Sequence, residues 1–388
     1  MAGFTDAVRR LWGRAPEAKA SAAARLVALH SAGRPQWTPR DYRALAREGY
    51  QRNAVVYRAV RIVSEAAASL PWLLSEGGSE IEAHPLLDLL ARPNARQSGG
   101  ELMEAVYGHL MLAGNAYLEA VEAGGEVREL HALRPDRMRV VPGADGWPEA
   151  YEYDVGGRKI RFEQSGRQAP ILHLTLFHPT DDHYGLSPLE AAQVALDVHN
   201  AASAWNKALL DNAARPSGAL VYTAENGLLA REQYERLKAE LEEQFAGARN
   251  AGRPLLLEGG LDWRAMGLAP KDMDFMEAKN GAAREIALAF GVPPMLLGIP
   301  GDNTYANYRE ANRTLWRQTV LPMASRVARG IAQWLAPGFG TLDLAHDLDA
   351  VHALAEDRES LWRRVSAADF LSDDEKRQAV GYGIREGG

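Results

Sequence analysis

Apolar side chains recur along this chain at steps of three and four over long stretches, and at steps of two over short ones. Val56, Val60, Val63, Ala67 and Leu70 mark one face of an amphipathic helix from Asn53 to Leu70, and Pro71 ends it. His84 to Leu90 reads as a short second helix closed by Arg92-Pro93-Asn94. Leu102, Val106, Leu110 and Ala113 mark a third, closed by Gly114. The period then changes to that of strands. Ala116–Val121 and Glu126–Leu130 flank Gly124-Gly125, and Tyr151–Val155 and Arg158–Phe162 flank Gly156-Gly157, so each pair reads as a hairpin. Ile171–Leu176 is a further strand. Residues 45 to 185 therefore predict an α+β domain with a small antiparallel sheet.

Ser187-Pro188-Leu189-Glu190 has the features of a helix start: a capping serine, proline at the first position, and a glutamate that completes a capping box. The Ala-rich pattern after it runs to about Asn212. That predicts a slim rod of roughly 35–40 Å at about 1.5 Å per residue. A small insert follows. It has a strand at Ala219–Thr223, a helix striped by Tyr234, Leu237, Leu241 and Phe245, and a strand at Pro254–Glu258 before Gly259-Gly260. A return helix spans about Asp272 to Phe290. The pattern thus places an α/β module at the end of two long helices.

The return helix runs into a stiff loop. Gly291 can take the left-handed conformation that closes a helix, and Val292-Pro293-Pro294 cannot continue it. Leu297, Gly298, Ile299, Pro300, Gly301, Asp302 and Asn303 stay out of regular structure. A long helix then runs from about Thr304 to Leu335, where Ala336-Pro337-Gly338 ends it. Pro322 lies inside it and predicts a kink, because an interior proline removes a ladder bond and crowds the preceding turn. Asp357–Val365 and Asp373–Val380 are short polar helices. No internal repeat or low-complexity tract stands out.

Composition narrows the chemistry. Of 388 residues, 46% are hydrophobic, enough for a sizeable core, and the absence of cysteine excludes a disulfide framework or a Cys-ligated metal. The formal charge of -7 argues against a tight DNA binder, which would neutralise phosphates with Lys and Arg. No apolar run approaches the length of a membrane span, so no membrane partner is expected. Met1 to Trp37 is rich in Ala and Arg, lacks a secretory apolar core, and carries Asp6 and Glu17, which speak against a transit peptide. It reads as part of a flexible N-terminal arm.

His178, Asp181, Asp182 and His183 form the best metal-like group, although their spacing does not place them on one face of a helix. Asp343, His346, Asp347 and Asp349 form an acidic group that lacks the pattern of a calcium loop and reads as solvated surface. No phosphate-cradling loop, dinucleotide fingerprint or nucleophile elbow is present. Tyr305, Tyr308, Trp316 and Trp334 could stack on bases, but read more simply as core or subunit interface. Neither a catalytic residue nor a cofactor is indicated. The enzymatic alternative is a metal-dependent nucleic-acid hydrolase using the His178–His183 group.

Several phrases in order resemble the portal proteins of long-tailed bacteriophages and the related gene transfer agents. They are Asn53-Ala-Val-Val-Tyr57 through Leu70-Pro71-Trp72, His84-Pro85-Leu86 with Pro93-Asn94, and Gly114-Asn115-Ala116-Tyr117. Next come Leu133-Arg134-Pro135-Asp136-Arg137, Gly185-Leu186-Ser187-Pro188-Leu189 and Arg215-Pro216-Ser217-Gly218. The last are Gly291-Val292-Pro293-Pro294 with Leu297-Gly298, and Thr304-Tyr305-Ala306-Asn307.

The resemblance implies a portal fold. Residues 1–44 would be the arm, 45–186 the wing, 187–215 and 271–291 the two stem helices, and 216–270 the clip. Residues 292–303 would be the tunnel loop, 304–345 the kinked wing helix, and 346–388 a short crown or tail. It implies a ring of about twelve copies around passing double-stranded DNA at one capsid vertex. The implied partners are the terminase large subunit, the major capsid protein and a head-completion adaptor. The implied location is the phage or gene transfer agent particle, after assembly in the bacterial cytoplasm.

Overall fold

Helix α1 (Tyr42–Leu45), capped by Asp41, passes into a π-helical turn (Ala46–Tyr50). Ahead of it, the Thr38 hydroxyl and backbone N–H both donate to Asp197, so the body of the protein begins at Thr38. The computed structural model describes residues 37–39, 41–211, 218–222, 235, 261–265, 275–301 and 304–384. Of the arm, only its last few residues fall within these limits. The helix expected over Tyr234 to Phe245 and the strand over Pro254–Glu258 lie outside them.

Helix α2 (Ala54–Ala68) starts at Asn53, whose side chain accepts from the N–H groups of Val55 and Val56. Its stripe Val56, Val60, Val63 and Ala67 is buried as the spacing requires. Each such valine contributes roughly 1.5–3 kcal/mol relative to exposure. Strands β1 (Trp72–Glu76) and β2 (Ser79–Glu80) follow, then α3 (Pro85–Ala91) and α4 (Gly99–Ala113). A capping box between Ser98 and Glu101 starts α4, and Gly114, at φ +69°, ends it. The buried face of α4 carries Leu102, Val106 and Leu110, which join α2 in the main core.

The strands sort into several small antiparallel sheets where the sequence suggested one. Strands β3 (Asn115–Ala123), β4 (Glu126–Leu133) and β8 (Ile171–Thr175) form one, in the order β4-β3-β8. Strands β5 (Met138–Pro142), β6 (Pro148–Val155) and β7 (Arg158–Glu163) form a second. The two Gly-Gly hairpins are present, with Gly124, Gly125, Gly156 and Gly157 all at positive φ. β5 had no signal, because its loop to β6 carries Pro142-Gly143 and Gly146-Trp147 in place of a short hairpin turn. Its Met138 and Val140 join Tyr117, Leu133, Tyr151 and Ile171 in a second, smaller core.

The first rod is interrupted. Helix α5 (Pro188–Ala191) ends at Ala192, and α6 (Gln193–Asp211) begins at once. Ser187 does cap α5, through the Leu189 N–H at 3.0 Å, but its hydroxyl proton goes to the Met111 and Leu112 carbonyls of α4. The cap bond thus goes to the second helical N–H, that of Leu189, and the capping box expected with Glu190 does not form. Strands β9 (Gly218–Tyr222) and β10 (Leu261–Ala265) pair antiparallel, so a strand of the insert that the sequence pattern did not mark follows Gly259-Gly260. Helix α7 (Phe275–Ala289) then returns alongside α6, burying Ala282, Ala283, Ile286 and Ala287.

Helix α8 (Tyr305–Leu315), capped by Thr304, leads into a π-helical turn (Trp316–Val320) and then α9 (Leu321–Phe339). Pro322 therefore sits in the first turn of α9, directly after a π turn. There the ladder already runs to the fifth residue back, and a missing N–H is tolerated. Pro337 does not end α9. The helix runs through it to Phe339, and Gly340 at φ +92° closes it, its N–H reaching the Ala336 carbonyl.

Strand β11 (Asp343–His346) pairs antiparallel with β1, Trp72 opposite His346, making a sheet in the order β11-β1-β2. In the acidic group at its end, Asp343 and Asp349 lie exposed as expected, while His346 is buried and the Asp347 and Asp349 carboxylates also clasp the tail through Tyr382. His346 is buried and stacks on Trp72 at 4.3 Å. Asp349 takes bonds from Arg358, Tyr382 and Trp362, and the Arg358 guanidinium beside it holds its carboxyl below the usual carboxylate range. Helices α10 (Ala355–Ser366) and α11 (Asp373–Val380) complete the described chain. The tail folds back: Ile384 exchanges backbone bonds with Gly78 and Glu80, and Arg377 pairs with Glu80 at 2.6 Å.

Candidate functional site

The loop between α7 and α8 is built from two copies of the same closure. At the end of α7, the Gly291 N–H bonds to the Leu288 carbonyl and the Val292 N–H to the Ala287 carbonyl. With Gly291 at φ +64°, this is the paired-bond pattern of a Schellman cap. A 3₁₀ turn over Pro294–Leu297 follows, and its end repeats the geometry. The Gly298 N–H bonds to Met295, the Ile299 N–H to Pro294, and Gly298 sits at φ +72°. The repeat is visible in the sequence once its meaning is known: Gly291-Val292-Pro293 and Gly298-Ile299-Pro300. In each, glycine takes the left-handed turn, a β-branched residue plugs into the protein, and proline bars a return to helix.

Both plugs are buried, Val292 in the main core and Ile299 against Ala283 and Ala287 of α7. Two further bonds fix the backbone. The Thr319 hydroxyl, from the π turn, donates to the Gly291 carbonyl at 2.7 Å, and Arg284 donates to the Pro300 carbonyl. Residues 291–301 contain no charged side chain. Gly291, Gly298, Pro300 and Gly301 are exposed. The result is an uncharged ledge of glycine, proline and backbone, pinned at four points. Asp302 and Asn303, at its tip in the sequence, lie outside the described residues.

The Thr319 bond explains why position 291 must be glycine for two reasons at once. A Cβ there would meet Thr319 Oγ1 at 2.6 Å, on a backbone at positive φ. Gly291→Ala is expected to cost about 2 kcal/mol, from left-handed strain and displacement of the hydroxyl together. A thermal melt that matches wild type would mean that the ledge is not held this way.

The metal-like group does not assemble. Asp181 Oδ1 accepts the backbone N–H groups of His183 and Tyr184 at 2.8 and 2.9 Å, and these bonds hold its carboxyl below the usual range. His178 Nδ1 accepts from the Thr180 N–H at 3.2 Å. His178 and Asp181 are thus engaged in shaping an exposed turn, and among the described residues no three His, Asp or Glu side chains converge as metal ligands would. The aromatic set also disperses. Trp334 is buried and donates to the Ala169 carbonyl, Trp316 packs on the core, Tyr308 is half exposed, and the Tyr305 side chain lies outside the described residues.

One junction escaped the sequence. Gly114-Asn115 and Gly185 are brought together in the interior. Asn115 Oδ1 accepts from the Gly185 N–H at 2.8 Å and from His173 Nε2 at 3.0 Å, and its amide donates to the Ala113 and Gly185 carbonyls. The two glycines let these backbones touch: a Cβ on Gly114 would lie 2.5 Å from the Gly185 oxygen, and one on Gly185 would strike the Gly114 oxygen. Beyond Asn115, His173 stacks on Tyr117 at 4.2 Å and meets Tyr151 and Tyr184 edge-on. Burial lowers its pKa to about 4, helped by the charge of His183. His109, near Tyr42, Arg134 and Asp136, is likewise pushed down to about 4, first by burial and then by Arg134.

The profile of the phage portal protein family matches residues 54–381. An uncharacterised protein of Rickettsia bellii is 43% identical over 339 residues, covering 86% of this chain and 88% of its own. The portal protein of Enterobacteria phage HK97 is 29% identical over 313 residues, 77% of this chain and 71% of that one. Among solved structures, a chain in the neck of an empty gene transfer agent particle, computed with C6 symmetry, is similar at 59% identity and a TM-score of 0.71. The match covers 90% of this chain and 96% of that one. A chain in the native particle's neck, computed with C12 symmetry, matches at the same identity and coverage with a TM-score of 0.68.

Proposed function

The chain belongs to the phage portal protein family, whose members are structural subunits for DNA packaging, and from that premise we propose that twelve copies of it close into a ring around a DNA channel at one vertex of a gene transfer agent particle or a phage capsid. The observation that carries this reading is the pinned, uncharged ledge at the foot of the paired helices α6 and α7. A surface that duplex DNA slides past should hold its shape and offer few cations, since each neutralised phosphate adds affinity and therefore drag. Residues 292–303 serve in this reading as the tunnel loop. The C12 symmetry of the neck containing a 59%-identical chain supports the copy number.

Around that loop, residues 45–186 act as the wing, 187–215 and 271–291 as the stem, and 216–270 as the clip. Residues 304–345 form the kinked wing helix, and 346–388 a C-terminal part folded onto the wing in place of a free crown. The ring does no chemistry of its own. The terminase large subunit drives DNA through it, the head-completion adaptor docks on the clip side, and the major capsid protein surrounds the wing. Assembly begins in the bacterial cytoplasm and ends in the particle.

Negative-stain electron microscopy with native mass spectrometry tests the ring. About twelve subunits around an axial hole is the expected result. A monomer carrying stoichiometric metal would return the hydrolase reading. The loop is tested separately in a packaging assay, where Asp302→Lys is expected to slow DNA passage several-fold by adding a phosphate contact at the tip. Unchanged packaging would count against the loop assignment.

A further inference from the structure

Helix α8 leads away from the ledge. With the π turn after it, residues 304–320, it carries three arginines and one glutamate. Arg309, Arg313 and Arg317 stand at steps of four, the spacing that puts side chains on one helical face. Counted from the cap Thr304 at about 1.5 Å per residue, Arg309 lies roughly 8 Å along the helix and Arg317 roughly 20 Å. The stripe therefore begins within the roughly 8–10 Å over which salt screens a charge, measured from the end of the loop. Unpaired guanidiniums at that place would hold phosphates, because their planar fork fits a phosphate as well as it fits a carboxylate.

The stripe is paired instead. Glu356 takes Arg309 on one carboxylate oxygen and Arg313 on the other, both at 2.8 Å. Asp357 lies 3.6 Å from Arg313 Nε and 3.9 Å from Arg317, and Glu310 of α8 itself bonds Arg313 at 3.2 Å. Glu356 and Asp357 both stand in the first turn of α10. Their two carboxylates match the two positive charges by which residues 304–320 exceed neutrality. The side chains of Arg309, Arg317 and Glu356 are 55%, 63% and 60% exposed. Pairs this open to solvent add little to stability; what they change is the charge that α8 presents.

We propose that the first turn of α10 is a charge screen, in which Glu356 and Asp357 occupy the arginines of α8 and so keep them off the phosphates of passing DNA. The inference rests on the channel reading above and gives the C-terminal part of the chain a role in it. Carboxylate and phosphate compete for the same donors, and a carboxylate built into the fold is always at hand. Each arginine so occupied is one phosphate contact fewer, and therefore less affinity and less drag.

Binding of a short fluorescent DNA duplex to the full chain, followed across salt concentration, tests the screen, with native mass spectrometry on the same samples. Glu356→Gln with Asp357→Asn is expected to bind the duplex about tenfold or more tightly than wild type at low salt. Its affinity should also fall more steeply with salt, by about 2 to 3 in the log–log slope, since each phosphate newly held adds about 0.9. Glu356→Gln alone should give a smaller gain in the same direction, and it carries the test if the double variant fails to fold. Asp373→Asn with Asp374→Asn removes the same charge from exposed positions at the start of α11 and is expected to bind the duplex as wild type does. Unchanged affinity in Glu356→Gln with Asp357→Asn, or an equal gain in the α11 variant, in samples that form rings, would overturn the screen and leave the ring standing. Wild-type protein that makes no ring would overturn both.

Discussion

Between pH 6.5 and 4 the protein is expected to lose roughly 3 kcal/mol of stability for each of His109 and His173. Both imidazoles are held neutral in the interior, with pKa values near 4 where the unfolded chain has about 6.5. As the pH falls through 6.5 the unfolded chain takes up its protons first, while the native state still refuses them. Stability is therefore complete above 6.5, declines across the window, and levels off below about 4. His199 and His346, lowered in the same direction by burial, add to the loss. The lowered carboxylates Asp181 and Asp349 lose their contribution at still lower pH, so the histidines own the upper part of the curve. Urea unfolding at half-unit pH steps measures it. His173→Gln and His109→Gln should each flatten the slope, and a midpoint that does not move between pH 6.5 and 4.5 would falsify this account.

Asn115→Ala is expected to cost roughly 3–5 kcal/mol, because it leaves several buried polar groups without partners at once. The side chain is nearly buried and carries four bonds, two accepted and two donated. Alanine would leave the Gly185 N–H and the His173 Nε2–H without their acceptor. Asn115→Asp should be no rescue, since a carboxylate cannot donate to the Ala113 and Gly185 carbonyls. A loss below about 1 kcal/mol in chemical unfolding would mean that the junction relaxes around the gap. The same side chain orients His173, so the variant should also change the pH slope, and the two effects should not be additive.

The helices were legible because burial is one-sided. The stripes of α2 and α4 announce themselves at steps of three and four, and Asn53, Ser98 and Gly114 mark the ends by chemistry that needs no distant partner. The ledge was legible as a stiff loop for the same reason. Its internal repeat was not read, although Gly-Val-Pro and Gly-Ile-Pro stand seven residues apart, because the 3₁₀ turn between them had no pattern of its own. What stayed hidden depends on pairing across long stretches of chain. Strand β1 pairs with β11, far away in sequence, and the Gly77-Gly78 turn that joins it to β2 follows a strand too short to show a clear period of two. Asn115 looks like any polar residue at the head of a strand until Gly185 arrives beside it. Asp347 and Asp349 looked solvated because Tyr382 and Arg358, which claim them, lie beyond the reach of any local pattern.

The clasp between the two ends of the body sets a clock on synthesis. Strand β1 leaves the ribosome long before its partner β11 and the tail that bonds to Gly78 and Glu80. The helices between them can gather as they emerge, but the sheet β11-β1-β2 stays open until β11 has been made. A chain cut short before residue 343 cannot complete it. Until residue 343 has been made, β1 therefore carries an unfilled strand edge, which is the kind of edge that pairs with other chains.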